Sequence, residues 1–154
     1  MCIRDRSYWT AASQEQYSQK NRFYLIRLIP AGGDYGDIEE NGTFSAGKNL
    51  WVLGNYSLFV RPGYQRIGLT VPNQNNQFFG TAYLSPEKDK LVIVYTNCTQ
   101  KSIQIENTFE GLGKEVGDYE QYTTSASKDL RKEPDYQKGL IPARSVSTFV
   151  YTLK

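Results

Sequence analysis

Four carboxylates, Asp34, Asp37, Glu39 and Glu40, crowd the Gly-rich stretch from Gly32 to Gly42. Two adjacent acids such as Glu39 and Glu40 invite an acid/base reading, but a pair on a surface loop is ordinarily solvated charge. The spacing also departs from that of a calcium loop, which sets oxygen ligands at alternate positions ahead of a turn glycine. The chain contains no His, so Ser-His and Cys-His nucleophile systems and His-ligated metals are excluded within it. Cys2 and Cys98 are its two cysteines, too few for a thiolate zinc site or a disulfide scaffold, and Cys98 reads as a lone thiol. Carboxylate chemistry is what remains, with no metal or other cofactor expected.

The bulk numbers narrow the partners. With 18 Lys+Arg against 16 Asp+Glu the 154-residue chain carries a formal charge of +2. No window gathers the basic cluster that neutralises phosphates, so nucleic acid is not expected as a partner. No stretch approaches the roughly 18 apolar residues of a membrane span, and no apolar signal core follows the N-terminal charges. Hydrophobic residues at 39% and aromatics at 14%, with 12 Tyr, suit a β-rich protein with polar faces.

The elements that would position any site change character along the chain. Residues 1 to 6, Met-Cys-Ile-Arg-Asp-Arg, join abruptly onto Ser7-Tyr8-Trp9-Thr10 and read as a non-native leader. Ser7 to Ala11 is a short aromatic strand candidate, Ser13 to Asn21 a polar loop, and Phe23 to Ile29 a second strand closed by Pro30 and two glycines. Ser45 is a fair N-cap for a helix in which Val52, Tyr56, Phe59 and Val60 recur at helical spacing. Leu50, Trp51 and Leu53 thicken its apolar side, which predicts a helix enclosed by other elements, and Trp51 is assigned to that packing. Gly54 costs such a helix about 1 kcal/mol unless close packing uses the missing side chain. Arg61-Pro62-Gly63 ends it.

From Tyr64 the period becomes two. Ile67 with Leu69, Phe79 to Leu84, Leu91 to Thr96, Ile103 with Ile105, Tyr119 to Thr123, and Ser147 to Leu153 predict six strands. The turn signals between them are Asn73 to Asn76, Ser85-Pro86, Asn97 to Gln100, Gly111 to Gly113 and Lys138-Gly139, a pattern that predicts an antiparallel sandwich. Asn41-Gly42-Thr43, Asn55-Tyr56-Ser57 and Asn97-Cys98-Thr99 fit the glycosylation sequon, although a helix interior at Asn55 argues against its use.

Four stretches carry a resemblance. Lys48 to Gly63, KNLWVLGNYSLFVRPG, resembles the segment that closes the catalytic barrel in glycoside hydrolase family 30. Tyr122 to Leu130 and Ile141 to Val150 resemble the end of that family's sandwich domain, and Tyr8-Trp9-Thr10-Ala11 is similar to the aromatic end of its last barrel strand. The resemblance covers essentially everything after residue 6, and within the family it leans to the endo-β-1,6-galactanase-like members, with xylanases and glucosylceramidases as relatives. It implies a mainly β fold: an antiparallel β-sandwich, residues 61 to 154, preceded by the last strand and helix of a truncated (β/α)8 barrel, residues 7 to 60. It also implies an extracellular or periplasmic location and a polysaccharide substrate bound by the full-length parent.

The implied chemistry is retaining hydrolysis. One carboxyl attacks the sugar while another, about 5 Å away, protonates the leaving oxygen. A barrel presents these groups from the ends of earlier strands, so no catalytic role passes to any Glu in this chain, and the fragment itself is expected to be inactive. Trp9 and Tyr8 are the candidate substrate contacts, since a flat ring at a strand's C-terminal end stacks on a sugar's C–H face and a phenol bonds hydroxyls. A ring at that place equally serves as core filling. The competing reading is a non-catalytic carbohydrate-binding or structural sandwich, for which the Tyr content speaks.

Overall fold

In a computed structural model, residues 11–14, 24–31, 41–71 and 77–154 are described. They fall into two compact units, Met1–Leu50 and Trp51–Lys154.

The first unit holds a three-stranded sheet. Strand β1 (Ala12–Gln14) runs parallel to β2 (Ile26–Pro30), which pairs antiparallel with β3 (Gly42–Ala46). Ser45 is therefore not a helix cap: it lies in β3 opposite Arg27. The helix, α1 (Lys48–Ser57), begins only after Gly47. At Gly47 the chain passes so close to the residues just before β2 that a Cβ would stand 2.7 Å from the Tyr24 carbonyl oxygen, a position only glycine fills without displacement. Its amide donates to the Leu25 carbonyl at 2.7 Å. The aromatic strand expected at Ser7 to Ala11 lies outside the described residues, Ala11 excepted.

The second unit is built on six antiparallel strands. In chain order these are β4 (Gln65–Ile67), β5 (Phe78–Leu84), β6 (Lys90–Asn97), β8 (Val116–Thr124), β9 (Arg131–Lys132) and β11 (Ser145–Leu153). Across the sheet they run β4-β5-β6-β11-β8-β9. A two-stranded sheet of β7 (Ile103–Gln104) and β10 (Leu140–Ile141) stands apart from it. All six strands expected from the period-two pattern are present; β9 and β10 are additions.

Both faces of the large sheet are covered, which explains why β6 reads as the unbroken run Leu91-Val92-Ile93-Val94-Tyr95, all buried. Alternation sends Leu91, Ile93 and Tyr95 to one face, where they meet Phe78, Phe149, Tyr151 and Ile141 of β10. Val92 and Val94 point the other way and pack with Val146, Tyr56, Phe59, Val60 and Tyr64, from the C-terminal half of α1 and the turn after it. Opposite residues of β6 and β11, such as Val94 with Thr148 and Ile93 with Phe149, share a face, so the register fixes both clusters at once.

The helix departs from expectation in two respects. It stops at Ser57, whose carbonyl accepts from Arg61 Nη1 at 2.7 Å; Phe59 and Val60 sit in the turn beyond. It is also not enclosed: its one buried residue is the polar Asn55, while its Val52 and Leu53 stay exposed, as does Leu58 just beyond it, by 57%.

Candidate functional site

The expected sugar contacts, Trp9 and Tyr8, lie outside the described residues, as do Asp34, Asp37, Glu39 and Glu40. Among the described residues the one buried carboxylate is Glu133, and both its oxygens accept from Lys128 Nζ, at 2.6 and 2.7 Å. Asp89 is held below its ordinary value by the Ser85 hydroxyl, and Glu120 by Lys132 and Tyr122. A carboxyl that donates a proton near neutral pH needs a raised value, so Asp89 and Glu120 are unsuited to the general acid of a glycosidase.

What the fold does assemble with care is the junction of α1 with the large sheet. Asn55 is fully buried. Its Nδ2 donates to the Trp51 carbonyl at 2.9 Å and to Thr124 Oγ1 of β8 at 2.8 Å. From β11, the Thr148 hydroxyl faces the Asn55 carbonyl at 2.9 Å and its Oδ1 at 3.0 Å. Thr124 Oγ1 in turn donates to the Trp51 carbonyl at 3.1 Å and accepts from the Leu130 amide at 3.1 Å. One hydroxyl thus uses its single donor and both acceptor positions. Leu130 adopts a φ of +48°, and its Cδ2 lies 3.3 Å from where a Gly54 Cβ would stand. Gly54 is therefore used for close packing, and Trp51 serves the junction through its backbone oxygen.

The opposite face is tied by a second polar bridge. Tyr95 donates to Asn107 Oδ1 at 2.5 Å, and Asn107 Nδ2 donates to the Tyr151 hydroxyl at 2.8 Å. Burial pushes the Tyr95 phenol up to about 12 and raises Tyr151 as well. This bridge pins the segment after β7 over the sheet. Beneath that segment is a half-open cavity of about 860 Å³, walled by Ile67, Leu69, Phe78, Ile93 and Phe109 and rimmed by Glu106 and Glu110. Beside it, Lys138 is paired with Asp135 at 3.0 Å and stands 5.2 Å from the Tyr119 ring centroid. The rings here are inward-facing: Phe78, Tyr95, Phe149 and Tyr151 are all buried.

The sequons separate cleanly. Asn55 is closed by the junction. Asn97 is buried, with Nδ2 on the Lys101 and Pro142 carbonyls and Oδ1 accepting from the Thr99 amide and hydroxyl. Asn41 is exposed. Cys98 is exposed and forms no disulfide among the described residues.

No family model matches the chain. It is 31% identical over 122 residues, 75% of its length, to glucuronoxylanase XynC of Bacillus subtilis strain 168. Among solved structures, a family 30 endoxylanase from Clostridium papyrosolvens matches 70% of the chain at 26% identity and a TM-score of 0.53. The chain is thus similar in sequence to a glucuronoxylanase and in fold to a family 30 endoxylanase. A conserved exported protein from Bacteroides fragilis matches 92% of it, with 28% identity and a TM-score of 0.69. The chain spans 27% of the length of the Bacillus relative and 28% of each of these two structures. Among the described residues no helix is long and apolar enough to cross a membrane.

The family 30 resemblance noted in the sequence rested on Tyr8 to Ala11, Lys48 to Gly63, Tyr122 to Leu130 and Ile141 to Val150. The last three of these stretches supply the whole junction: Trp51, Gly54 and Asn55 from the first of them, Thr124 and Leu130 from the second, Thr148 from the third. Sequence reasoning picked out Asn55 only as a sequon and passed over Thr124 and Thr148. The available signal was a polar residue at the centre of an apolar helix, which must find buried partners.

Proposed function

We propose that this chain is the C-terminal part of a secreted, retaining family 30 glycoside hydrolase that cleaves O-glycosidic bonds in a polysaccharide, and that its sandwich braces the catalytic barrel. The identity of 31% to a glucuronoxylanase carries this reading. It makes xylan the first substrate class to test, with β-1,6-galactan, to which the sequence resemblance leans, as the second. Residues 7 to 60 are the end of the barrel in this proposal, and Trp9 and Tyr8 its contribution to sugar contact. Bracing is supported by the contrast between buried rings, unsuited to a sugar-binding platform, and a helix clamped to the sheet through Asn55. The uncovered Val52, Leu53 and Leu58 are the surface offered to the barrel. Secretion is supported by the exported neighbour.

The test compares the chain alone with a version extended upstream through a complete barrel, on xylan, glucuronoxylan and β-1,6-galactan, by release of reducing ends. The extended protein is expected to act on one of these and the chain alone on none. Turnover by the chain alone, or an upstream sequence that encodes no barrel, would sink the reading. Binding of the chain alone to an insoluble polysaccharide would favour the carbohydrate-binding alternative.

A further inference from the structure

The start of β3 carries a reactive arrangement that the proposed hydrolase reading does not use. Asn41-Gly42 is the single Asn-Gly step in the chain, and both residues are exposed. β3 is the outer strand of its three-stranded sheet. The Ala31 amide donates to the Asn41 carbonyl at 3.1 Å, which makes 31 and 41 a hydrogen-bonded pair. In an antiparallel ladder such pairs alternate with pairs whose amides point outward, so the next pair, Pro30 with Gly42, turns the Gly42 amide away from β2. Its partner is the side chain just before it: Gly42 N donates to Asn41 Oδ1 at 2.8 Å. The backbone nitrogen and the side-chain amide carbonyl are thus held face to face, with no Cβ on residue 42 to obstruct their approach.

We propose that Asn41 is a site of spontaneous deamidation through a cyclic imide, poised by the fold. The Gly42 nitrogen loses its proton and bonds to Asn41 Cγ; the Cγ–Nδ2 bond breaks and ammonia leaves with that proton. Water then opens the five-membered ring. Attack at the side-chain carbonyl leaves an ordinary aspartyl residue in place of the asparagine, and attack at the main-chain carbonyl gives an isoaspartyl linkage that adds a methylene to the backbone where β3 begins. Either product adds a negative charge next to the acidic run Asp34 to Glu40 and destroys the one sequon that the fold leaves exposed.

The experiment is peptide mapping by mass spectrometry of the purified chain held at several alkaline pH values, folded and in urea, with isoaspartate read by methyltransferase labelling. The expected result is conversion at Asn41 in the folded chain at least as fast as in urea, quickening with pH as the nitrogen deprotonates, while buried Asn55 and Asn97 stay intact. Gly42→Ala, checked for folding by circular dichroism, should slow conversion, and Asn41→Gln should abolish it. Slower conversion in the folded chain than in urea would overturn the proposal, as would an unchanged rate in Gly42→Ala.

Discussion

Asn55 and Thr124, 69 residues apart in sequence, meet through a buried hydrogen bond of 2.8 Å that fastens α1 to β8. Because the same amide also serves Trp51 and Thr148, Asn55→Ala strands several buried polar groups together. A buried group left without a partner costs about 1–3 kcal/mol, so a loss of about 3 kcal/mol is expected, read as a lower urea midpoint with unchanged slope. Combining it with Thr124→Val should cost less than the sum of the two alone, by about 1 kcal/mol. Additive losses would mean that the two side chains act independently.

Gly80 in β5 lies under the Tyr95 ring. A Cβ there would stand 2.8 Å from two ring carbons and 2.9 Å from Leu69 Cδ2. Overpacking of this kind costs about 1–3 kcal/mol, so Gly80→Ala should lower the melting temperature despite the better strand propensity of alanine. Tyr95→Leu should cost less in the Gly80→Ala background than in the native chain, because it also opens the space the ring occupies, and additive losses would mean that the two positions do not clash.

Lys128 and Glu133 form an ion pair in which the carboxylate is almost fully enclosed, its side chain 2% exposed against 22% for Lys128. Removing one partner of a buried pair leaves an uncompensated charge, at about 3 kcal/mol or more. Lys128→Met is expected to destabilise by about that amount, and the double variant that adds Glu133→Leu to recover most of it. Denaturation curves of the three proteins check the order.

The buried phenols set an alkaline limit. The Tyr95 pKa is raised from 10.0 to about 12 and that of Tyr151 is raised in the same direction, both chiefly by burial. In this range the folded state keeps protons that the unfolded chain releases. By linkage the stabilisation is fully present below about pH 10 and is lost as pH climbs toward about 12. Denaturant midpoints from about pH 8 to about pH 11.5 should be flat and then fall, and Tyr95→Phe should make the fall shallower while lowering the neutral-pH plateau by the lost Asn107 bond.

The β half of the fold was legible because its runs are long, apolar and bounded by turn residues: Phe79 to Leu84 and Leu91 to Thr96 agree with strands in length and punctuation, the second unbroken because both its faces are covered. The first half was not. β3, GTFSA, is exposed along its whole length, so it leaves no apolar stripe to read, and its pairing with β2 outweighed Ser45's local fitness as a cap. The helix was misjudged in length and setting because Leu53 and Leu58 are apolar yet uncovered, while the residue that anchors the helix, Asn55, is polar. The candidate sugar contacts came from resemblance alone, and Trp9 and Tyr8 fall outside the described residues.

β11 comes last of the described strands yet sits in the middle of the large sheet, between β6 and β8. Until its nine residues leave the ribosome, β6 and β8 have no neighbour on their inner edges, and Leu91 to Tyr95 face water in a form prone to pairing with other chains. Assembly of the sheet therefore waits for late synthesis, and yield in a recombinant host will depend on how that interval is managed, by slower translation, lower temperature or a chaperone that holds the open edges.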